Sequence, residues 1–329
     1  MRARLFAAEK RSWWTLPALS IATFMLTAAS IACGTTGSAT RAVPGSGPGK
    51  IETPNATGFP SPPSGAVVFA RQDGANAFAL ALTPKGRRLA IQASVVGPDG
   101  RGVAGLPLRF AISTAPGRIV RARGVACGLG CYAATAVTGA PRHVAVTIGG
   151  GSERTRFAFV LPRAWPPADA TALVRRSGRV WRNLRTLVSH ERLASDPRHA
   201  LRAVYQMVAP DRFSYEIAGG AAAIVIGSRR WDRTSPTGSW QRSSQQPPLR
   251  QPAPFWSDVR DAHIVASPSV RGHRAWRITF FDPRTPAWFT VVLDSQSLRT
   301  LDLHMVTTAH FMHDVYGPFN QPLQLRPPG

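Results

Sequence analysis

The chain is 329 residues long, 44% hydrophobic and 17% charged, which is enough apolar material for folded domains and excludes disorder along most of its length. Its 40 basic residues outnumber 17 acidic ones to give a net charge of +23, yet Lys10, Lys50 and Lys85 are the only lysines and the arginines are scattered singly over both halves. Cations spread this way, without clustering with aromatics in an RNA-binding type of motif, argue against nucleic acid as a partner. They leave either a GC-rich genome that encodes positive charge as arginine, or attraction to an anionic membrane surface at roughly 1 kcal/mol per basic residue lying near it.

The first element is the uncharged run Trp13–Cys33, preceded by Arg2, Arg4, Lys10 and Arg11. A basic segment before an apolar run is an export signal, retained as an anchor or cleaved. Ser30-Ile31-Ala32-Cys33 resembles a bacterial lipobox, with Ser30 where that motif carries Leu, Val or Ile. Lipidation at Cys33, a retained membrane helix and release after Ala32 all place the remainder outside the cytoplasm, so the expected location is the extracytoplasmic face of the cell membrane. Residues 34–64 are dense in Gly, Pro, Ser and Thr and are expected to be a flexible tether. GSGPGK within it lacks the spacing and the flanking elements of a phosphate loop.

Residues 65–163 change to period two. Phe78, Leu80 and Leu82 share one strand face, as do Leu89, Ile91, Ala93 and Val95, then Leu106, Leu108, Phe110 and Ile112, then Val144, Val146 and Ile148, then Phe157, Phe159 and Leu161. Turn chemistry at Gly97-Pro98-Asp99-Gly100, Ala115-Pro116-Gly117 and Gly149-Gly150-Gly151 separates them. About seven short strands in about 100 residues is the pattern of an immunoglobulin-like β-sandwich. Cys127 and Cys131, in CGLGC, suit a disulfide closing a hairpin in an oxidising compartment; a thiolate metal site would need further ligands that are not nearby. With its PDG turn, Val103-Ala104-Gly105 approach and Gly130-Cys131-Tyr132 hairpin, the segment resembles the extracytoplasmic sandwich domains associated with CopC/CopD-type copper-resistance proteins. Those carriers bind metal through clustered His and Met, whereas this segment has His143 and no Met.

Residues 164–329 form the second expected domain. Pro166-Pro167 marks its start and Asp169 can cap a helix, in which Leu173, Val180, Trp181, Leu184 and Leu187 make an apolar stripe opposite Arg175, Arg176, Arg179, Arg182 and Arg185. Such a helix covers a sheet or lies on a membrane surface. Strands are predicted at Leu187–Ala194, Leu201–Val208, Arg212–Ile217, Ala222–Trp231, Ser239–Arg242, Ala262–Ala266, Ala275–Phe281, Ala287–Leu293 and Arg299–Thr307. A helix followed by this meander, with WDR, SW, PFW and PAWF segments and a close at Tyr316-Gly317-Pro318, resembles the LolA/LolB and LppX/LprG lipoprotein-carrier fold. The resemblance implies a curved antiparallel sheet, or half-barrel, wrapped on a helix around an apolar cavity for acyl chains. Leu173, Trp181, Leu184, Trp231, Trp256, Trp276 and Trp288 are the candidate lining, with ordinary core packing as the alternative for each tryptophan. The expected fold class is therefore mostly β, a sandwich followed by an α+β domain.

No GxSxG elbow, HExxH helix, paired-carboxylate motif or nucleotide loop is present, and an enzyme is not expected. One constellation suits metal: in HMVTTAHFMHD a continuous strand would put His304, His310 and Met312 on one face and Met305, Phe311 and His313 on the other. Imidazole with thioether favours copper, the one cofactor the sequence suggests. The expected function is a membrane-anchored extracytoplasmic lipoprotein that holds or senses a lipid or other hydrophobic ligand at the membrane surface. The alternatives are an accessory in copper handling, or an envelope-stress sensor or docking module with a partner membrane protein.

Overall fold

A computed structural model describes residues 60–114, 117–150, 154–194 and 200–329, all of which fall within one compact unit, Gly45–Gly329. The apolar run Trp13–Cys33, Cys33 itself and most of the expected tether lie outside the described residues. Among the described residues no helix is long and apolar enough to cross a membrane.

The N-terminal half is a two-sheet sandwich. Its strands are β1 (Val67–Asp73), β2 (Asn76–Lys85), β3 (Arg88–Val96), β4 (Leu108–Thr114), β5 (Ile119–Arg123), β6 (Val125–Gly128), β7 (Cys131–Val137), β8 (Pro141–Ile148) and β9 (Thr155–Val160). One sheet runs β1-β2-β3-β7-β6 and the other β5-β4-β8-β9. The inward positions of the alternating runs, among them Phe78, Leu80, Ile91, Phe110, Val146 and Phe159, fill the space between them. Cys127 and Cys131 are bonded across the β6–β7 turn. That turn is held against β3 through Gly130, at φ +70°, back to back with Gly102; a Cβ on either would run into the other's backbone. Tyr132 ties in the Val103-Ala104-Gly105 segment, its hydroxyl donating to the Val103 carbonyl (2.7 Å) and accepting from the Leu106 N–H (3.0 Å).

The C-terminal half has one helix, α1 (Thr171–Arg182), followed by β10 (Thr186–Ala194), β11 (Ala200–Val208), β12 (Arg212–Ile217), β13 (Ala222–Ile226), β14 (Arg229–Arg233), β15 (Gln241–Ser244), β16 (Arg260–Ala266), β17 (Ser269–Val270), β18 (His273–Asp282), β19 (Ala287–Asp294), β20 (Thr300–Thr307) and β21 (His310–Phe319). The order β15-β14-β13-β12-β11-β10-β21-β20-β19-β18-β16 makes one open, curved antiparallel sheet. The predicted strands overlap observed ones, with these differences: Ala222–Trp231 turns at Gly227, whose φ is +60°, to give β13 and β14; Ser239–Arg242 falls two residues before β15; β17 has no predicted counterpart; and the last predicted strand is followed by a separate β21.

Two meanders build this sheet. β10 to β15 runs outward to one edge, and β16 to β21 runs from the opposite edge back to β10. The connection between edges passes the β13–β14 and β11–β12 turns, where Leu249 N–H donates to the Gly227 carbonyl (3.4 Å) and Gln251 N–H to the Pro210 carbonyl (2.9 Å). Its far end is pinned by the fully buried Asp282, which accepts from the Ser257 N–H at 2.7 Å.

The sandwich is more than a tethered spacer. β2 buries both faces: Phe78, Leu80 and Leu82 enter the sandwich core, while Ala77, Ala79 and Ala81 join Val68 and Ala70 of β1 against Phe281, Trp288, Val306 and Phe311 of the large sheet. Alternating large and small side chains let two sheets approach closely on one side and interdigitate on the other. Next to this contact the Gly65 N–H donates to Asp261 Oδ1 (2.7 Å), so the end of the expected tether lies against the large sheet.

Candidate functional site

Helix α1 starts where Asp169 accepts from the Thr171 hydroxyl (2.8 Å) and backbone N–H (3.3 Å). Its buried row is Val174, Ser177, Gly178 and Trp181, with Leu173 and Val180 half-buried at its flanks. This differs from the apolar stripe read in the sequence because the buried polar Ser177 has a partner: its hydroxyl lies 3.4 Å from the hydroxyl of Thr300, which also accepts from Trp181 Nε1 at 2.8 Å. Replacing Trp181 with Phe should lower stability by about 1–3 kcal/mol, since it removes the donor to a Thr300 that is 1% exposed; a loss below about 0.5 kcal/mol in urea unfolding would refute this.

The space between helix and sheet is packed. Trp181 meets Trp256 edge-on (6.3 Å) and Tyr316 edge-on (5.0 Å), Trp256 meets Phe280 (5.7 Å), and Phe280 stacks on Phe289 (5.0 Å). Leu184 completes this core and Leu173 packs at its margin. The acyl-chain cavity expected at this place is thus filled by aromatic side chains. Two clefts lie elsewhere, one of about 540 Å³ at the end of the sandwich and one of about 310 Å³ beside Ser61, Pro62 and Asp261.

Nor do the tryptophans converge. Trp181, Trp256 and Trp276 belong to the concave side, whereas Trp288 lies on the convex side against the sandwich alanines. Trp231 pairs across the sheet with Ile224, which alternates with the concave positions Ala223 and Val225, and it packs near the Arg229 guanidinium. Period two decides this: Trp288 alternates with the inward Phe289, so both cannot face the helix.

The concave wall next to that core carries a feature that sequence reading missed. Cross-strand register puts Tyr316, Ser189, Tyr205 and Tyr215 in one row and Leu303, Asp314, Glu191, Ala203 and Ile217 in the next. Glu191 and Asp314 are directly opposite one another on β10 and β21, 4% and 0% exposed. Tyr316 Oη donates to Asp314 Oδ2 (3.2 Å), but Ser189 Oγ, both Glu191 oxygens and Asp314 Oδ1 are buried with no partner in hydrogen-bonding geometry. Burial lifts the Glu191 carboxyl to about 7, against the adjacent Tyr205 hydroxyl, which favours its charged form. Burial and the facing Glu191 lift Asp314 to about 8. Around them the wall is apolar or aromatic: Leu193, Met207, Met312, Phe213 and Ile217, with Leu201 at the rim, 37% exposed. The signal in the sequence was the alternation Leu187, Ser189, Glu191, Leu193, which places a serine and a carboxylate between two core leucines.

The metal constellation is rearranged. A turn at Thr308-Ala309, with Ala309 at φ +52°, folds β21 back on β20, so His304 faces His313, Met305 faces Met312 and Thr307 faces His310. Met312 therefore points into the concave core while His304 stands on the convex side, and His310 sits at the hairpin end, so the set His304, His310 and Met312 does not converge. What the hairpin does bring together is His304, His313 and Asp302, whose ligand atoms all lie within 4.8 Å.

No protein-family model matches the chain, and a search of curated proteins gave no match. Three solved structures align with its C-terminal half. A LolA superfamily protein from Nitrosomonas europaea is 11% identical and covers 49% of this chain and 96% of its own, at a TM-score of 0.24. A DUF1329 family protein from Desulfovibrio piger is 8% identical over 48% of this chain and 96% of its own, at 0.25. A putative outer membrane lipoprotein-sorting protein domain from Vibrio parahaemolyticus is 10% identical over 47% and 93%, at 0.25. The resemblance of the sandwich to copper-carrier domains has no support among these structures.

Proposed function

We propose that this is a membrane-anchored extracytoplasmic binding protein that holds an amphiphilic, lipid-like ligand on the concave wall of its large sheet. The observation that carries the reading is the wall itself. Apolar and aromatic side chains line β10 to β12, several only partly buried, and among them sit the Ser189 hydroxyl, the Glu191 carboxyl with only the Tyr205 hydroxyl beside it, and an Asp314 oxygen left over from the bond to Tyr316. Buried polar atoms ordinarily find partners, so a set left short of them in an apolar wall suits a ligand with both an apolar chain and a polar head. The resemblance of the sequence to lipoprotein carriers, and the export signal ending at Cys33, agree with this location and ligand class.

Each methylene buried on the wall would contribute roughly 0.8 kcal/mol, so a bound acyl chain should survive gentle purification. Native mass spectrometry of the fragment from Pro60 onward, made by export in a bacterial host, is expected to show adducts of lipid mass. Leu201→Arg at the rim should reduce them without unfolding the protein. A wild-type fragment free of lipid, and unable to take it up from vesicles, would sink the reading.

A further inference from the structure

The hairpin β20–β21 carries on its convex side a group of side chains that the ligand-binding reading does not use. Asp302 and His304 are two residues apart on β20 and so share a face; His313 stands directly across from His304 on β21. Asp302 reaches both rings, with Oδ2 at 2.9 Å from His313 Nε2 and Oδ1 at 3.4 Å from His304 Nε2. The imidazoles lie parallel, their centres 4.0 Å apart and their planes within 7°. The opposite face of the same hairpin is locked into the core by Leu303, Met305, Met312 and Asp314, so the three groups are presented from a rigid support.

We propose that Asp302, His304 and His313 form a binding site for a divalent transition-metal ion of the zinc or copper(II) type. Two imidazole nitrogens and one carboxylate oxygen are the donors these ions prefer, and small rotations of the two rings bring all three onto one ion at bonds of roughly 2.0–2.2 Å. Three protein ligands leave a further coordination position facing solvent, since His304 is about half exposed. Both thioethers of the motif, Met305 and Met312, are on the other face, which removes the soft donors copper(I) would need. The charges facing the site are Arg71 from β1 and Arg277 from β18, whose fields act on His304, and Arg192, next to His313 in the β10–β21 register. These cations oppose a second positive charge and set the affinity below that of an isolated site with the same ligands. The proposal does not depend on the ligand reading above.

The test is calorimetric titration of Zn²⁺ and Cu²⁺ into the full chain, purified in nonionic detergent without a polyhistidine tag and dialysed against chelator. Wild type should take up about one equivalent, with copper(II) tighter than zinc. His304→Gln, His313→Gln and Asp302→Asn should each weaken binding about tenfold or more while leaving the circular dichroism unchanged, as expected for near-isosteric changes at partly exposed side chains. Electron paramagnetic resonance of the copper(II) form should show nitrogen coupling from imidazole that is reduced in either histidine variant. Arg277→Gln removes a repelling charge at an exposed position and should tighten binding severalfold. No stoichiometric uptake by wild type, equal affinity in the double variant His304→Gln/His313→Gln, or an Arg277→Gln affinity no tighter than wild type would overturn the proposal.

Discussion

Raising the pH from about 6.5 to about 8 should destabilise this protein by roughly 2 kcal/mol, and the double variant Glu191→Gln/Asp314→Asn should abolish that loss. The folded state holds Glu191 at about 7 and Asp314 at about 8, above their ordinary values of 4.5 and 3.8. In this window the unfolded chain has both carboxyls ionised while the folded chain still binds protons at them. Folding therefore takes up protons, and each step to higher pH favours unfolding until the pH passes the folded values. The groups that act on the pair are Tyr205, Tyr316 and Asp302, and burial raises both tyrosines further away from the window. His263, His304 and His310 are held below their ordinary value of 6.5 by burial, so the unfolded chain binds more protons at them and they oppose the loss near the lower edge of the window; the double variant keeps these histidines, so its difference from wild type isolates the carboxyl pair. Urea unfolding at three pH values, with chelator present so that no metal contributes, measures the slope. A flat wild-type profile would show that the pair is not a proton-holding unit.

Ala79→Arg should be the more damaging substitution in absolute terms, costing about 3 kcal/mol or more. Ala79 is 1% exposed and packs with Phe281, Trp288 and Phe311 where the sandwich meets the large sheet. A guanidinium there has no room and no acid to pair with in that cluster, so either the charge is buried or the two halves separate. Ala133, exposed on β7, is the control: Ala133→Arg should change stability by less than about 0.5 kcal/mol. Intrinsic fluorescence would report the interface through Trp288, which should shift to the red in Ala79→Arg before global unfolding. Identical unfolding curves for the two variants would mean that the sandwich is a spacer, and that its contact contributes nothing.

Much of the fold could be read from the chain because period two is strong wherever one face is buried. β4 and β8 of the sandwich show it plainly, whereas β19, buried at nearly every position, and β15, exposed at every one, do not alternate. The alanines of β2 gave no signal: only Phe78, Leu80 and Leu82 stood out, and nothing local to Ala77, Ala79 and Ala81 says that another sheet lies against them. The histidine hairpin failed for a related reason. Thr308-Ala309 carries neither Gly nor Pro, so the turn left no mark, and a continuous strand assigned His304 and Met312 to the same side. The carboxyl pair was beyond sequence reading because its two members come from opposite ends of the domain, although the inward position of Glu191 was visible. Of the candidate tryptophans, Trp231, Trp276 and Trp288 lie on strands, Trp181 on the helix and Trp256 in the connection, and which side of a two-faced sheet the strand ones take depended on register that only the fold sets.

That last strand has a consequence for how the protein comes into being. β10 opens the large sheet and β21 ends it, about 120 residues later, and they are neighbours in its middle. During synthesis the first meander emerges with its inner edge unpaired, a raw border of N–H and C=O groups that waits for the final segment to cross. Closure of this seam is the step with the greatest loop to gather, and so the natural bottleneck in maturation. Until it closes, Glu191 is a solvated, ionised side chain; once Asp314 arrives, the two must share protons. A newly made chain would thus register its own completion as a change of charge in the wall, and a molecule truncated before His310 would keep an open, adhesive edge suited to capture by quality-control proteases.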